Sequence, residues 1–271
     1  MDRIAMKFSM VAAAALSCIA PGLAADMRLA DAVPGHAGVT YASLVRMAMP
    51  DLVIEGGKGR AGAEVKLRTL GGDESSLDAD FTIDTVTALE VLSEGKPILL
   101  VLAPAEEGGF SALLAAYDLS GAPKLLDAVD GGMDRMLDFG TTIDLGAATG
   151  FTLVGSHFNA GESYVSTDIA FVHEGRLTPI ASQLAFGLMV CSFAMEQTLA
   201  VTTADDPPSI YRAVTVAVTQ TTTPSGEACD DRTPLSPPPN TATYADIYRW
   251  DAAAGAYATA THARDALMGP E

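Results

Sequence analysis

The 271-residue chain carries 34 acidic against 16 basic side chains, a formal charge of −18, and 49% of its residues are hydrophobic. That charge excludes a nucleic-acid surface, which needs clustered Lys and Arg, and it opposes anionic lipid. The apolar fraction supports a sizeable core, in one large all-β domain or two smaller ones.

The chain opens MDRIAMKF, where Arg3 and Lys7 precede an apolar run from Phe8 to Ala20 and small residues up to Ala24. This layout reads as a secretory signal peptide over residues 1–24, and it sets the expected location as periplasmic or secreted. The run is too short to cross a bilayer, and no later run reaches the roughly 18 residues a spanning helix needs, so no membrane span is expected. A lipid anchor on Cys18 is the alternative, but Ala15, Leu16 and Ser17 depart from the box such anchoring uses. Cleavage would remove Asp2, Arg3 and Lys7 and leave the mature chain one unit more negative.

Residues 25–38 are small, polar and turn-rich, and they read as a flexible lead-in to a single all-β domain over 39–271. The domain starts with one short helix: Thr40 is a capping residue, Tyr41, Leu44, Val45 and Ala48 share a face, and Pro50 ends the run. The period then changes. AEVKLRTL at 63–70 alternates, with Val65 and Leu67 on one side and Glu64, Lys66 and Arg68 on the other, as a half-buried strand does. Short β-rich runs parted by Gly, Pro, Asp and Asn continue to the end, the spacing of an antiparallel meander that forms a β-sandwich or irregular barrel, with a propeller-like arrangement as the alternative.

Two of these runs repeat. Gly121 and Gly175 are 54 residues apart, and aligning them superposes Tyr117 on Phe171, Phe110 on Tyr164, Leu99 on Leu153 and Leu126 on Ile180. Segments 98–130 and 151–184 are thus expected to be copies of one three-strand meander, with a weaker third echo in YRWDAAAGAY around Trp250 and Gly255. The glycine belongs to a hairpin that needs positive φ. His173 and Glu174 in FVHEGRLTPI then occupy a solvent-facing hairpin tip, and HEGR reads as turn chemistry. Residues 221–242, rich in Pro and Thr with no apolar pattern, read as a long loop.

The two cysteines outside the leader, Cys191 and Cys229, stand 38 residues apart. In an oxidising compartment they are expected to form a disulfide contributing about 3 to 4 kcal/mol. A buried thiol at Cys191 is the alternative.

Hydrolytic and phosphate-binding signatures are missing or misplaced. No G-x-S-x-G occurs; Ser93 and Lys96 make an S-x-x-K broken by Gly95 and Pro97; HEGRL has leucine at 177 where a zinc helix needs histidine. Two sets of side chains remain. His157, Asn159, Glu162 and Tyr164 flank a turn, where the first copy has Ala103, Ala105, Gly108 and Phe110, so the second copy carries polar groups the scaffold does not require. Such gains at the end of a rigid sheet suit ligand binding, with a hydrolase near His157 as a further alternative. Asp130 and Asp134 stand in an Asp-rich stretch that suits a calcium-like cation, without EF-hand or nonapeptide spacing. The reading is an exported, non-enzymatic β-rich binding or accessory protein with a protein or small-molecule partner; the alternative is a calcium-like cation binder. No resident cofactor is implied.

Overall fold

This computed structural model describes residues 26–106, 111–132, 137–159, 161–224 and 238–267. In chain order it has β1 (Met27–Arg28), α1 (Tyr41–Ala48), β2 (Val53–Glu55), β3 (Lys58–Arg60), β4 (Val65–Arg68), β5 (Glu74–Leu77), β6 (Thr82–Ile83), β7 (Thr85–Ser93), β8 (Lys96–Pro104), β9 (Ala112–Asp118) and β10 (Lys124–Asp130). The second half holds β11 (Asp138–Asp144), β12 (Thr149–Asn159), β13 (Glu162–His173), β14 (Arg176–Met189), β15 (Phe193–Ala204), β16 (Ala213–Pro224), β17 (Asn240–Asp251) and β18 (Ala256–Thr259), then a short 3-10 turn over Ala263–Ala266. All strand pairs within the sheets are antiparallel.

Helix α1 forms where its sequence directs it. The Thr40 hydroxyl accepts from the Ser43 N–H at 3.2 Å, and the Ser43 hydroxyl accepts from the Thr40 N–H at 3.0 Å, a reciprocal cap that satisfies two otherwise orphaned donors. Tyr41, Leu44 and Val45 are buried, and Pro50 lies just past the end.

The strands fall into three successive four-stranded meanders, β7 to β10, β11 to β14 and β15 to β18. The repeat seen in the sequence is therefore structural: β8, β9 and β10 correspond to β12, β13 and β14, and the third echo is the hairpin of β17 and β18, which turns at Gly255. The first meander, extended by β1, is one sheet; the second and third are halves of an eight-stranded sheet. Those halves are joined in the ladder by Gly187–Met189 against Ala194–Glu196, and an isolated bridge between Gly146 and Tyr211 links them again. Beyond this three-pair seam the sheet folds over, and Ile169 and Phe171 of the second meander share a core with Val214 and Val216 of the third. A separate core joins Leu100, Leu102 and Leu114 of the first meander to Phe151, Leu153 and Val172 of the second. Helix α1 and the small sheet of β2, β3 and β6 cover the remaining face of the first meander, where Leu44, Val45 and Ile83 share a core with Tyr117 of β9. The result is a sandwich of stacked layers, and no sheet closes into a barrel among the described residues.

Three local readings change. Residues 27–33 are held rather than loose: Met27 and Arg28 pair with Val86 and Thr85, and Leu29 and Val33 are buried, because these apolar side chains dock on the α1 core. The loop expected over 221–242 is strand at both ends. Thr221 and Thr222 pair with Thr241 and Asn240, since β-branched threonine suits a pleated ladder even without apolar alternation. The repeat glycines also differ: Gly175 has φ +77° while Gly121 does not lie at positive φ, and the turn that matches it is Glu94–Gly95, at +51° and +78° against +50° and +77° for Glu174–Gly175. Both are two-residue turns with positive φ at each central position, which match strand twist.

Candidate functional site

Register places the four expected residues on one face at the far end of β12 and β13. His157 is paired with Tyr164 and Asn159 with Glu162, and alternation puts all four on the same side. Gly161, at φ +98°, makes the turn. The Tyr164 hydroxyl donates to Glu162 Oε2 at 2.7 Å, and the rings of His157 and Tyr164 are 6.4 Å apart. That carboxylate acceptor holds the phenol proton and raises the Tyr164 pKa above its ordinary value, with a smaller contribution from burial. Tyr164 also leans on Phe186 of β14, with centroids 5.3 Å apart. The four side chains thus form a cross-strand polar row rather than a walled pocket.

The opposite face of the same strand end is apolar. Phe158 is 72% exposed, Met189 73% and Val165 36%. Between Phe158 and Met189 the cross-strand row reads Phe158, Ser163, Gly187, so large side chains flank a small-residue floor. The glycine leaves room for the Ser163 hydroxyl, which a Cβ at 187 would approach to 2.3 Å and displace. Exposed Glu196, paired with Gly187, adds a carboxylate beside this notch. Under it, the Gln197 side-chain carbonyl accepts from the Phe186 N–H at 3.1 Å and its amide donates to Gln220 at 2.8 Å, which satisfies a backbone donor where β14 and β15 part.

Asp130 and Asp134 are not brought together as a described site, because Asp134 lies outside the described residues. Asp130 closes β10 instead: its carboxylate accepts from the Ser75 hydroxyl at 2.7 Å and from the N–H groups of Ala112 and Gly132 at 3.1 and 2.9 Å. Among the described residues, no three His, Cys, Asp or Glu side chains converge as a metal site. Cys191 is an engaged side chain; Cys229, its expected partner, lies outside the described residues.

One cluster escaped the reading of residues in order. His173 does sit at a turn, but its side chain is only 21% exposed and points into packed aromatics rather than solvent. Its ring lies 4.7 Å from that of Trp250 and 5.8 Å from that of Tyr211. Its Nδ1 is 3.0 Å from the Tyr211 hydroxyl and 3.2 Å from Glu94 Oε1. Burial, reinforced by the Glu94 carboxylate, pushes the Tyr211 pKa up to about 12, so the phenol keeps its proton as a donor. Glu94 comes from the first meander, His173 from the second, and Tyr211 and Trp250 from the third, so this cluster locks the stack. The signal was the doubled turn itself, SEGK at 93–96 and HEGR at 173–176, whose tips meet: the Ser93 hydroxyl donates to the Val172 carbonyl at 2.9 Å.

No family model matches the chain, and no curated protein or solved structure is found to be similar to it.

Proposed function

We propose that this is an exported β-rich binding or accessory protein that holds a basic protein partner on the projecting end of β12, β13 and β14. The observation that carries the reading is the pair Phe158 and Met189, each more than 70% exposed, flanking the Ser163 and Gly187 floor on a rigid strand end. Leaving such side chains in water forgoes roughly 1.5 to 3 kcal/mol apiece, and an exposed apolar patch marks a contact surface where its residues are contiguous. Glu196 beside the notch and the chain charge of −18 favour a partner with Lys or Arg around an apolar residue. Export rests on the leader pattern of residues 1–24, and a Cys191–Cys229 bond accords with that compartment.

The test uses an alternating Lys–Leu heptapeptide as the probe. Saturable binding that weakens with added salt and falls at least tenfold in the Phe158→Ser, Met189→Ser double variant is the expected result. Equal binding by the double variant would overturn the reading. Turnover by the wild-type chain on a hydrolase panel, abolished by His157→Ala, would replace it with the enzyme alternative.

A further inference from the structure

Asp168 lies near the middle of β13 and is 8% exposed, yet it has no cationic partner among the described residues. The guanidinium groups of adjoining elements are used elsewhere: Arg68 by Asp127 and Arg264 by Asp246. Asp168 keeps one side-chain hydrogen bond, from Ser182, directly opposite in the register. A buried carboxylate without a counter-ion is costly, and a fold keeps one where something compensates the charge.

The carboxylate lines a cavity of about 240 Å³. The cavity sits beside β14 where that strand bulges, Ala170 being paired with Pro179 and Ile169 with Ala181, so that Ile180 is the extra residue. Proline at 179 supplies no N–H to the ladder, which favours a bulge there. β15 does not pair with β14 until Gly187, so this stretch of strand is free on that side, and Ala256 and Tyr257 of the third meander form the facing wall. The remaining walls are Leu70, Pro179, Ile180 and Ala181, with hydroxyls from Thr178 and Ser182.

We propose that this cavity binds a small organic ammonium ion, with Asp168 as its counter-ion. The chemistry matches in three respects. A carboxylate beside the Ser182 hydroxyl accepts the N–H donors of a protonated amine. The aliphatic walls take the alkyl portion, and the site excludes a hydrated metal ion, since calcium needs six to eight oxygens and this cavity shows one carboxylate. The volume is below the roughly 300 to 1,000 Å³ of drug-sized sites, which limits the ligand to a few heavy atoms. In sequence the cue was a lone acid inside the buried run STDIAFV at 166–172. The site is separate from the Phe158 notch and stands or falls independently of it.

The proposal is tested by titrating the whole chain with propylammonium, with n-propanol and with calcium, followed by calorimetry or by the Asp168 and Tyr257 NMR signals. The wild-type chain is expected to take up one propylammonium with a Kd on the order of a millimolar, as suits a ligand of so few atoms. Propanol binds at least tenfold more weakly, and Asp168→Asn loses the amine to the same extent. Ala256→Leu, which fills the cavity from the facing wall, removes binding as well and carries the test if Asp168→Asn loses its strand signal in circular dichroism. Undiminished amine binding by Asp168→Asn, or no saturable uptake by the wild-type chain at ten times that concentration, would overturn the proposal. So would calcium uptake that depends on Asp168 in place of amine uptake.

Discussion

Thr87 lies opposite Leu102 in β7 with its hydroxyl buried and no hydrogen-bond partner among the described residues. A buried hydroxyl without a partner forfeits its hydration, so the isosteric Thr87→Val is expected to raise stability by about 1 kcal/mol, read as a higher urea midpoint at unchanged slope. Asp246 shows the opposite balance. Burial alone would raise its pKa, but the Ala263 N–H at 2.8 Å, the Arg264 guanidinium at 2.9 Å and the Thr261 hydroxyl outweigh burial and hold the carboxyl below its ordinary value. Its contribution is therefore complete above the unfolded value near about 3.9 and is lost as pH falls through the lower folded value. Asp246→Asn is expected to flatten the acid limb of a stability profile below about pH 4, and an unchanged limb would contradict this. Asp168 has the reverse sign, since burial raises its carboxyl pKa against the Ser182 hydrogen bond. Its ionised form weakens the fold above the folded pKa, and that penalty is absent below the unfolded value. Asp168→Asn should thus be at least as stable as wild type at neutral pH. The sequence marks each of these acids as polar, but only spatial neighbours separate the paired Asp246 from the unpaired Asp168.

Among elements, α1 was readable to its boundaries because cap, apolar face and proline act within one short segment. The HEGR turn was readable for the same reason: Gly175 sits at φ +77°, and Gly175→Ala is expected to cost about 1 kcal/mol with the strand content retained. The direction of the His173 side chain was not readable, since Glu94, Tyr211 and Trp250 approach it from distant parts of the chain. The same limit applies to the clamp of β4, β10 and β14. There the Asp127 carboxylate accepts from Arg68 at 2.5 Å and from the Leu177 N–H at 2.8 Å, while Arg68 also donates to the Leu177 carbonyl at 3.0 Å. Removing it as Asp127→Ala strands a half-buried guanidinium and a strand N–H, and a loss of about 2 to 3 kcal/mol in chemical denaturation is expected. The threonines that end β16, Thr221 to Thr223, misled in the other direction. With no alternation they read as loop, yet Thr221 and Thr222 continue the ladder opposite Thr241 and Asn240.

At the scale of the molecule, the period between Gly121 and Gly175 revealed the repeated meander, and the Trp250 echo revealed its third copy. What periodicity does not carry is how the copies lie on one another. That depends on the short seam at Gly187–Met189 and on the aromatics behind it: Phe171 has ring centroids 5.2 Å from Tyr211, 5.7 Å from Trp250 and 5.6 Å from Tyr257. His173→Ala removes the hinge of three meanders at once, and a loss of about 2 to 3 kcal/mol is expected from its hydrogen bonds and ring contacts together. The folded-over stack underlies both proposed surfaces, because it leaves the β12 to β14 end projecting and brings Ala256 and Tyr257 of β18 to the cavity that Asp168 lines. The most direct measurement of it is a set of NMR nuclear Overhauser contacts from the Trp250 indole. Contacts to the rings of Phe171 and His173 are expected. Trp250 contacts confined to β16 and β18, as in an open eight-stranded sheet, would contradict the account.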